Sequence, residues 1–202
     1  EVMVYDFGAV TRTQDPKGAA VVTTYDPIGR PSQATNQVNQ AYTRYVYASN
    51  HLSVQSFTTV NELSSEFYQI TVRDGHGRTR GMASDHPGSA GGYKAQKFEY
   101  DFMGRLVRQT NPTEVDGDGE PAGDDAAAGW VWSAQAYDWK GRPTVSYFQG
   151  YNPNLPDSEN EPYKDREIIY GGCGCAGGET MTIFDAGQTT DLLPIDFPER
   201  RS

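Results

Sequence analysis

One pentad recurs along this chain: Asp, two variable residues, Gly and Arg, usually with a Tyr in front. It reads Tyr25-Asp26-Pro27-Ile28-Gly29-Arg30, Tyr100-Asp101-Phe102-Met103-Gly104-Arg105 and Tyr137-Asp138-Trp139-Lys140-Gly141-Arg142. A fourth copy, Asp74-Gly75-His76-Gly77-Arg78, has Arg73 where the others have Tyr. Two shorter echoes stand at Tyr5-Asp6-Phe7-Gly8 and Phe184-Asp185-Ala186-Gly187. Self-similarity of this kind constrains the architecture before any single residue suggests chemistry.

The physics of the pentad is a hairpin turn. Asp at the first position of a type I turn accepts hydrogen bonds from the backbone N–H groups just ahead of it, and Gly at the exit supplies a positive φ. A type I turn followed by a left-handed Gly makes a G1 bulge, whose twist suits two antiparallel strands. The flanking runs are short, β-branched and aromatic, with partial period-2 alternation: Val21–Tyr25, Lys97–Tyr100 and Ser133–Tyr137 before the turns, Leu106–Thr110 and Thr144–Phe148 after them. The Arg after Gly has the reach to lay its stem across a neighbouring Tyr ring and aim its guanidinium at the Asp. On this reading Asp26, Gly29, Arg30, Asp74, Gly77, Arg78, Asp101, Gly104, Arg105, Asp138, Gly141 and Arg142 are structural turn residues, and none is catalytic.

A second signal keeps step with the first. Asp15-Pro16-Lys17-Gly18 precedes the Gly29 turn, Asp85-His86-Pro87-Gly88 follows the Gly77 turn, and Asn111-Pro112 and Asn152-Pro153 follow the Gly104 and Gly141 turns. Asp-Pro and Asn-Pro start turns, and Pro cannot donate to a central ladder. The unit is therefore turn, strand, turn, strand. This pattern, clearest from Asp15 to Arg30, resembles the YD-repeat, or RHS-repeat, family over most of residues 1–150. The resemblance implies a strand-and-turn ribbon spiralling into a hollow β-shell. Shells of that kind occur in bacterial polymorphic toxins, toxin-complex cocoons and teneurins, where the repeats are casing and not catalyst. Tyr25, Tyr100 and Tyr137 match the family Tyr. The gaps between the glycines at 29, 77, 104 and 141 are uneven, so insertions or decayed repeats intervene.

The expected fold is all-β: consecutive antiparallel hairpins forming a curved sheet or partial β-shell, with little helix. The hairpin region spans 1–150, with an acidic insertion at 111–129. Residues 151–202 hold a loop, a Gly/Cys-rich segment and a degenerate last repeat, continuous with the same sheet. The short stretches Val60–Tyr68 and Asp124–Ala128 are the best helix candidates, and the tail Leu192–Ser202, with Pro194 and Pro198, reads as irregular. With 36% hydrophobic residues but 12% aromatic ones, a thin sheet held by ladder bonds and cross-strand aromatic pairs fits better than a thick core.

A net charge of −10 over 202 residues argues against nucleic acid or an anionic membrane surface as a partner. No stretch reaches the length of a membrane span. The chain starts at Glu1 with no leader, which reads as a piece of a longer secreted or cell-surface protein. The ends of such a ribbon pair with further repeats of a parent protein or with other chains.

Two segments invite chemistry. Asp116, Asp118 and Glu120 put alternate carboxylates on a Gly-rich loop, as a hard cation such as calcium requires. The twelfth position of an EF-hand count is Ala127, so an EF-hand is excluded, and a looser calcium site stands beside a solvated acidic insertion. Cys173 and Cys175, in a glycine run, are compatible with a tight disulfide, with free thiols or with a soft metal, the secreted setting favouring the disulfide. There is no nucleophile elbow, phosphate loop or His-Glu-x-x-His, and His51, His76 and His86 each sit in a turn-like context. The expected function is a non-enzymatic structural or encapsulating module. Two rival readings stand beside it: a carbohydrate- or protein-binding adhesin using aromatic rows, testable at Trp130, and a self-assembling fibre subunit.

Overall fold

The computed structural model describes residues 2–6, 8–60, 65–152, 154–156, 159, 164–172, 180–185 and 200–201. Among them the chain is all-β. Its strands are β1 (Val2–Asp6), β2 (Ala9–Gln14), β3 (Ala20–Tyr25), β4 (Pro31–Asn36), β5 (Tyr42–Tyr47), β6 (Ser53–Val60), β7 (Ser65–Arg73), β8 (Thr79–Asp85), β9 (Tyr93–Tyr100), β10 (Leu106–Thr110), β11 (Thr113–Val115), β12 (Trp132–Tyr137), β13 (Pro143–Tyr151), β14 (Lys164–Gly171), β15 (Thr180–Asp185) and β16 (Arg200–Arg201). Little helix is present among the described residues: a 3-10 turn covers Gly123–Asp125, at the start of one helix candidate. The other candidate, Val60–Tyr68, is extended wherever it is described. Phe67-Tyr68-Gln69-Ile70-Thr71-Val72 alternates with period 2, and pairing with β6 settles it as strand. In the tail, Arg200 and Arg201 are not irregular: they pair with Ile183 and Thr182.

Two compact units divide the chain. The first takes Glu1–Ala95 with Glu114–Gly123, the second Gln96–Thr113 with Asp124–Ser202. In the first, each strand from β1 to β8 pairs antiparallel with the next in sequence. In the second, the order runs β9, β10, β12, β13, β14, β15, β16, again antiparallel throughout. Because neighbours in sequence are neighbours in the sheet, the hairpins after β1, β3, β5 and β7 all turn at one end of the first unit. Those after β9 and β12 likewise share an end of the second.

Burial is slight. Among the described residues only Ala20, Val115, Thr110 and Thr113 are fully buried. Val115 packs on Gly91, where a Cβ would meet the Val115 carbonyl oxygen at 2.3 Å, and that approach requires glycine. Thr110 turns its hydroxyl to the backbone, accepting from the Lys97 N–H at 2.9 Å. A layer with so little apolar interior is held by ladder hydrogen bonds and by contacts between side chains lying along its faces.

Candidate functional site: a clasp between hairpins

The four pentads fold alike. The Gly N–H donates to the Asp carbonyl at 2.9–3.0 Å, and the Asp N–H donates to the Arg carbonyl at 2.8–2.9 Å. Gly29, Gly77, Gly104 and Gly141 have φ of 84°, 81°, 85° and 83°. A Cβ at Gly29 or Gly77 would meet no atom within 4 Å, so the left-handed backbone, not space, demands glycine there. The strand register slips beside each turn, as a one-residue bulge requires.

Each Asp carboxylate is used twice. Its Oδ1 accepts from the backbone N–H of the Arg four residues on, at 2.8 Å for Asp26, 3.0 Å for Asp74, and 2.9 Å for Asp101 and Asp138. Its Oδ2 accepts from the Nε of the same Arg at 2.6–2.7 Å. These Asp side chains are 14–17% exposed. Burial works to raise their pKa values, but the backbone N–H donors and the guanidinium together outweigh it. All four carboxyls are held below the usual range.

The Arg then reaches out of its own turn. Arg30 lies 4.0 Å over the Tyr47 ring, Arg105 4.7 Å over Tyr137, and Arg142 3.9 Å over Tyr170. None of these rings belongs to the Tyr in front of the same pentad: each comes from the hairpin that follows. Arg105 also donates from Nη1 to the Asp138 carbonyl at 3.0 Å, and Arg30 donates to His51 Nδ1 at 2.9 Å. The Tyr completes the link. The Tyr47 hydroxyl donates to the Pro31 carbonyl at 2.9 Å, Tyr137 to Leu106 at 2.9 Å, and Tyr170 to Pro143 at 3.0 Å. In the first hairpin pair Tyr25 donates to Val10 at 2.7 Å. In every case the acceptor lies two residues beyond the turn Gly of the preceding hairpin. Asp and Gly shape the turn, and Arg with the next Tyr fastens one hairpin to another.

The pattern also accounts for Arg73. The turn one hairpin earlier, Ala48–Ser53, has no Asp or Arg; it closes by His51 N–H donating to Ala48 O at 2.9 Å, with His51 at φ 60°. A preceding turn without the Arg leaves a Tyr at position 73 nothing of this kind to stack on.

A second cluster in the first unit escaped the sequence reading. Arg44 on β5 makes a bidentate pair with Glu66 on β7, Nε to Oε1 at 2.8 Å and Nη2 to Oε2 at 2.7 Å. The Tyr42 hydroxyl donates to the same Oε1 at 2.8 Å, and Arg44 lies 3.7 Å over Phe57 on the intervening strand. The Arg44 and Tyr42 hydrogen bonds bring the Glu66 carboxyl down to about 2. The clue was Tyr42 and Arg44 sharing a face at period 2; Glu66, two strands away, gave none.

Asp116-Gly117-Asp118-Gly119-Glu120 is another copy of the turn. Gly119 has φ 86°, and Asp116 Oδ1 accepts from Asp118 N at 3.0 Å and from Glu120 N at 3.1 Å. The structure thus turns Asp116 onto its own backbone. Among the described residues no three His, Cys, Asp or Glu side chains are grouped to hold a metal. Cys173 and Cys175 lie outside the described residues. Trp130, the ring singled out for sugar stacking, carries Lys97 Nζ 3.8 Å over its face. Among the described residues no helix is long and apolar enough to cross a membrane.

Fold and site together define an array of antiparallel hairpins in which turns are clasped to the hairpins that follow. No protein-family model matches the chain, and no curated protein matches its sequence. Among solved structures, the Photorhabdus luminescens Tc holotoxin pore aligns with 98% of this chain at 15% identity and a TM-score of 0.48. TcdB2-TccC3 without its hypervariable C-terminal region aligns with 93% at 14% identity and 0.46, and TcdB2-TccC3-TEV with 93% at 15% and 0.45. The chain spans 10% of the length of each of these chains.

Proposed function

We propose that this chain is a non-enzymatic structural module, one stretch of the wall of a larger secreted, toxin-associated β-shell that encloses a cargo. The observation that carries the reading is the clasp. The Asp, Arg and Tyr side chains that recur along the chain are consumed in holding strand to strand. Where Arg30, Arg105 and Arg142 fasten one hairpin to the one that follows, the array is held by repetition instead of around a central core, as repeat architectures are. The YD-repeat resemblance of residues 1–150 points the same way.

The test is protease protection in the full-length polypeptide. An enclosed segment resists trypsin while the wall is intact and becomes cleavable when Arg30, Arg105 and Arg142 are together replaced by Gln. A segment cut at the same rate in both proteins would sink the casing reading.

The adhesin alternative moves to another residue. Trp139, at the tip of the Asp138–Arg142 turn, is 87% exposed, and Phe102, at the tip of the adjacent turn, is 94% exposed. Sugar-array binding lost in Trp139→Ala and retained in Trp130→Ala would favour it; an array with no bound glycan removes it.

A further inference from the structure

In the second unit two pentad turns stand side by side. Arg105 reaches from one to donate to the Asp138 carbonyl of the other at 3.0 Å, and a Cβ on Gly141 would lie 3.7 Å from the Arg105 Nη1. The two variable residues of each pentad form the tips: Phe102 and Met103 on one, Trp139 and Lys140 on the other. Phe102 is 94% exposed, Met103 66% and Trp139 87%. A protein surface seldom holds large apolar side chains so bare and so close together unless something meets them. The clasp makes no use of them, because Asp, Gly and Arg close each turn.

Shape, backbone and charge say what meets them. The tips are convex points with no groove between them for a ligand to fill, and points of this kind suit a soft layer that closes around them. Their backbone is provided for. The Lys140 N–H donates to Asp138 Oδ1 at 2.9 Å, and the Gly104 and Gly141 N–H groups donate to the Asp101 and Asp138 carbonyls at 2.9 and 3.0 Å. Turn amides that carry their own partners leave water at little cost. The chain has a net charge of −10, yet this end of it does not. Asp101 pairs with Arg105 at 2.6 Å and Asp138 with Arg142 at 2.7 Å, and Lys140 adds one positive charge to these two neutral pairs. The Lys140 Nζ lies 5.2 Å over the Trp139 ring. An indole beside an ammonium is the combination that rests at a lipid–water boundary, with the ring turned inward and the cation toward phosphate.

We propose that the Phe102–Met103 and Trp139–Lys140 tips are a membrane-docking edge that enters the interface of a zwitterionic phospholipid bilayer. Phe102, Met103 and Trp139 sink among the headgroups, and Lys140 meets a lipid phosphate. An anionic bilayer repels a chain of −10, whereas a neutral one offers phosphate to Lys140 without that long-range barrier. Net charge therefore turns the chain away from anionic membranes and leaves this end open to neutral ones. The edge operates whether or not the sheet encloses a cargo.

The experiment mixes the whole 202-residue chain with phosphatidylcholine vesicles. It reads co-sedimentation, Trp emission and quenching by phosphatidylcholine brominated along its acyl chains. The expected result is saturable binding with a blue shift, and quenching that disappears in Trp139→Ala. Trp139→Ala and Phe102→Ala change exposed side chains outside the clasp, so the urea midpoint should stay where it is. Each should weaken vesicle binding about ten-fold, and the double variant about a hundred-fold, the effect of withholding one and two rings from the interface. Lys140→Glu should also weaken binding, and vesicles containing phosphatidylserine should bind the parent chain less well than phosphatidylcholine alone. The proposal is overturned if the chain stays in the supernatant at saturating lipid, or if the two ring variants sediment like the parent. Tighter binding to the phosphatidylserine vesicles overturns it as well. So does a Trp139 emission that shifts with soluble sugars and not with vesicles. Protease protection is untouched by any of these results, so the casing reading fails or survives separately.

Discussion

Two turns of the first unit, Asp26–Arg30 and Asp116–Glu120, are nearly superposable in their bonding and differ in what they do. In both, the fourth residue donates to the first carbonyl, at 3.0 and 3.1 Å, and the first N–H donates to the fifth carbonyl, at 2.8 and 3.0 Å. The exit glycines stand at φ 84° and 86°. One has Arg at its fifth position and is fastened to Tyr47 on the next hairpin. The other has Glu there: its Asp accepts the same two backbone N–H bonds as Asp26, but its turn contains no Arg to pair with. Backbone shape and connection are thus encoded by different letters of the same short word. Asp and Gly write the bend, and Arg writes the tie.

The largest test of this contrast is acid. The carboxyls of Asp26, Asp74, Asp101, Asp138 and Glu66 all have lowered pKa values in the folded chain. Carboxylates of that kind stabilise the fold fully above their unfolded pKa, and the contribution disappears as pH falls through the folded one. For Glu66 that window runs from 4.5 down to about 2. The urea midpoint should therefore hold steady above about pH 5 and drop through this window. A flat midpoint there would contradict the clasp.

Next comes the ring. Tyr47→Ala removes the half-buried surface under Arg30 together with the hydroxyl bond and should cost about 2 kcal/mol in urea unfolding. Matched glycine changes should follow. Gly29→Ala and Gly119→Ala each force a side chain into a left-handed φ with open space around it, at about 1–2 kcal/mol apiece. Costs that differ widely would mean that the two turns are less alike than their bonds. Tyr47→Phe, which removes only the hydroxyl bond to Pro31, should cost about 1 kcal/mol. The smallest effect is a gain: Glu120→Arg gives Asp116 an exposed ion-pair partner, worth about 0.5 kcal/mol or less without a ring beneath it.

How much of this was legible in the sequence follows from distance along the chain. The hairpin architecture could be read because turn chemistry and period-2 runs are local. The Asp–Arg pair closes within five residues, so it too can be written into a short motif. The other half of the clasp cannot. The acceptors of Tyr47, Tyr137 and Tyr170 are 16, 31 and 27 residues away, and loops of uneven length hide a constant spatial step. The same holds for Glu66, 22 residues from Arg44. In the acidic loop, too, a contact made by the folded turn decides what a carboxylate faces. Alternate carboxylates are visible in the sequence, whereas the aim of Asp116 Oδ1 at the Asp118 and Glu120 amides is set by the Gly119 turn.

The Tyr that reads the previous turn has a bearing on how such chains change over generations. An Arg and the aromatic ring beneath it sit in different hairpins, so a stretch exchanged by recombination carries one half of a pair at each boundary. A cut just before Tyr47 or Tyr137 would leave an Arg whose ring must be supplied by the newcomer. A segment bounded by compatible halves would keep both ties, and Arg73, one hairpin after an Arg-less turn, shows that both halves can also be absent together.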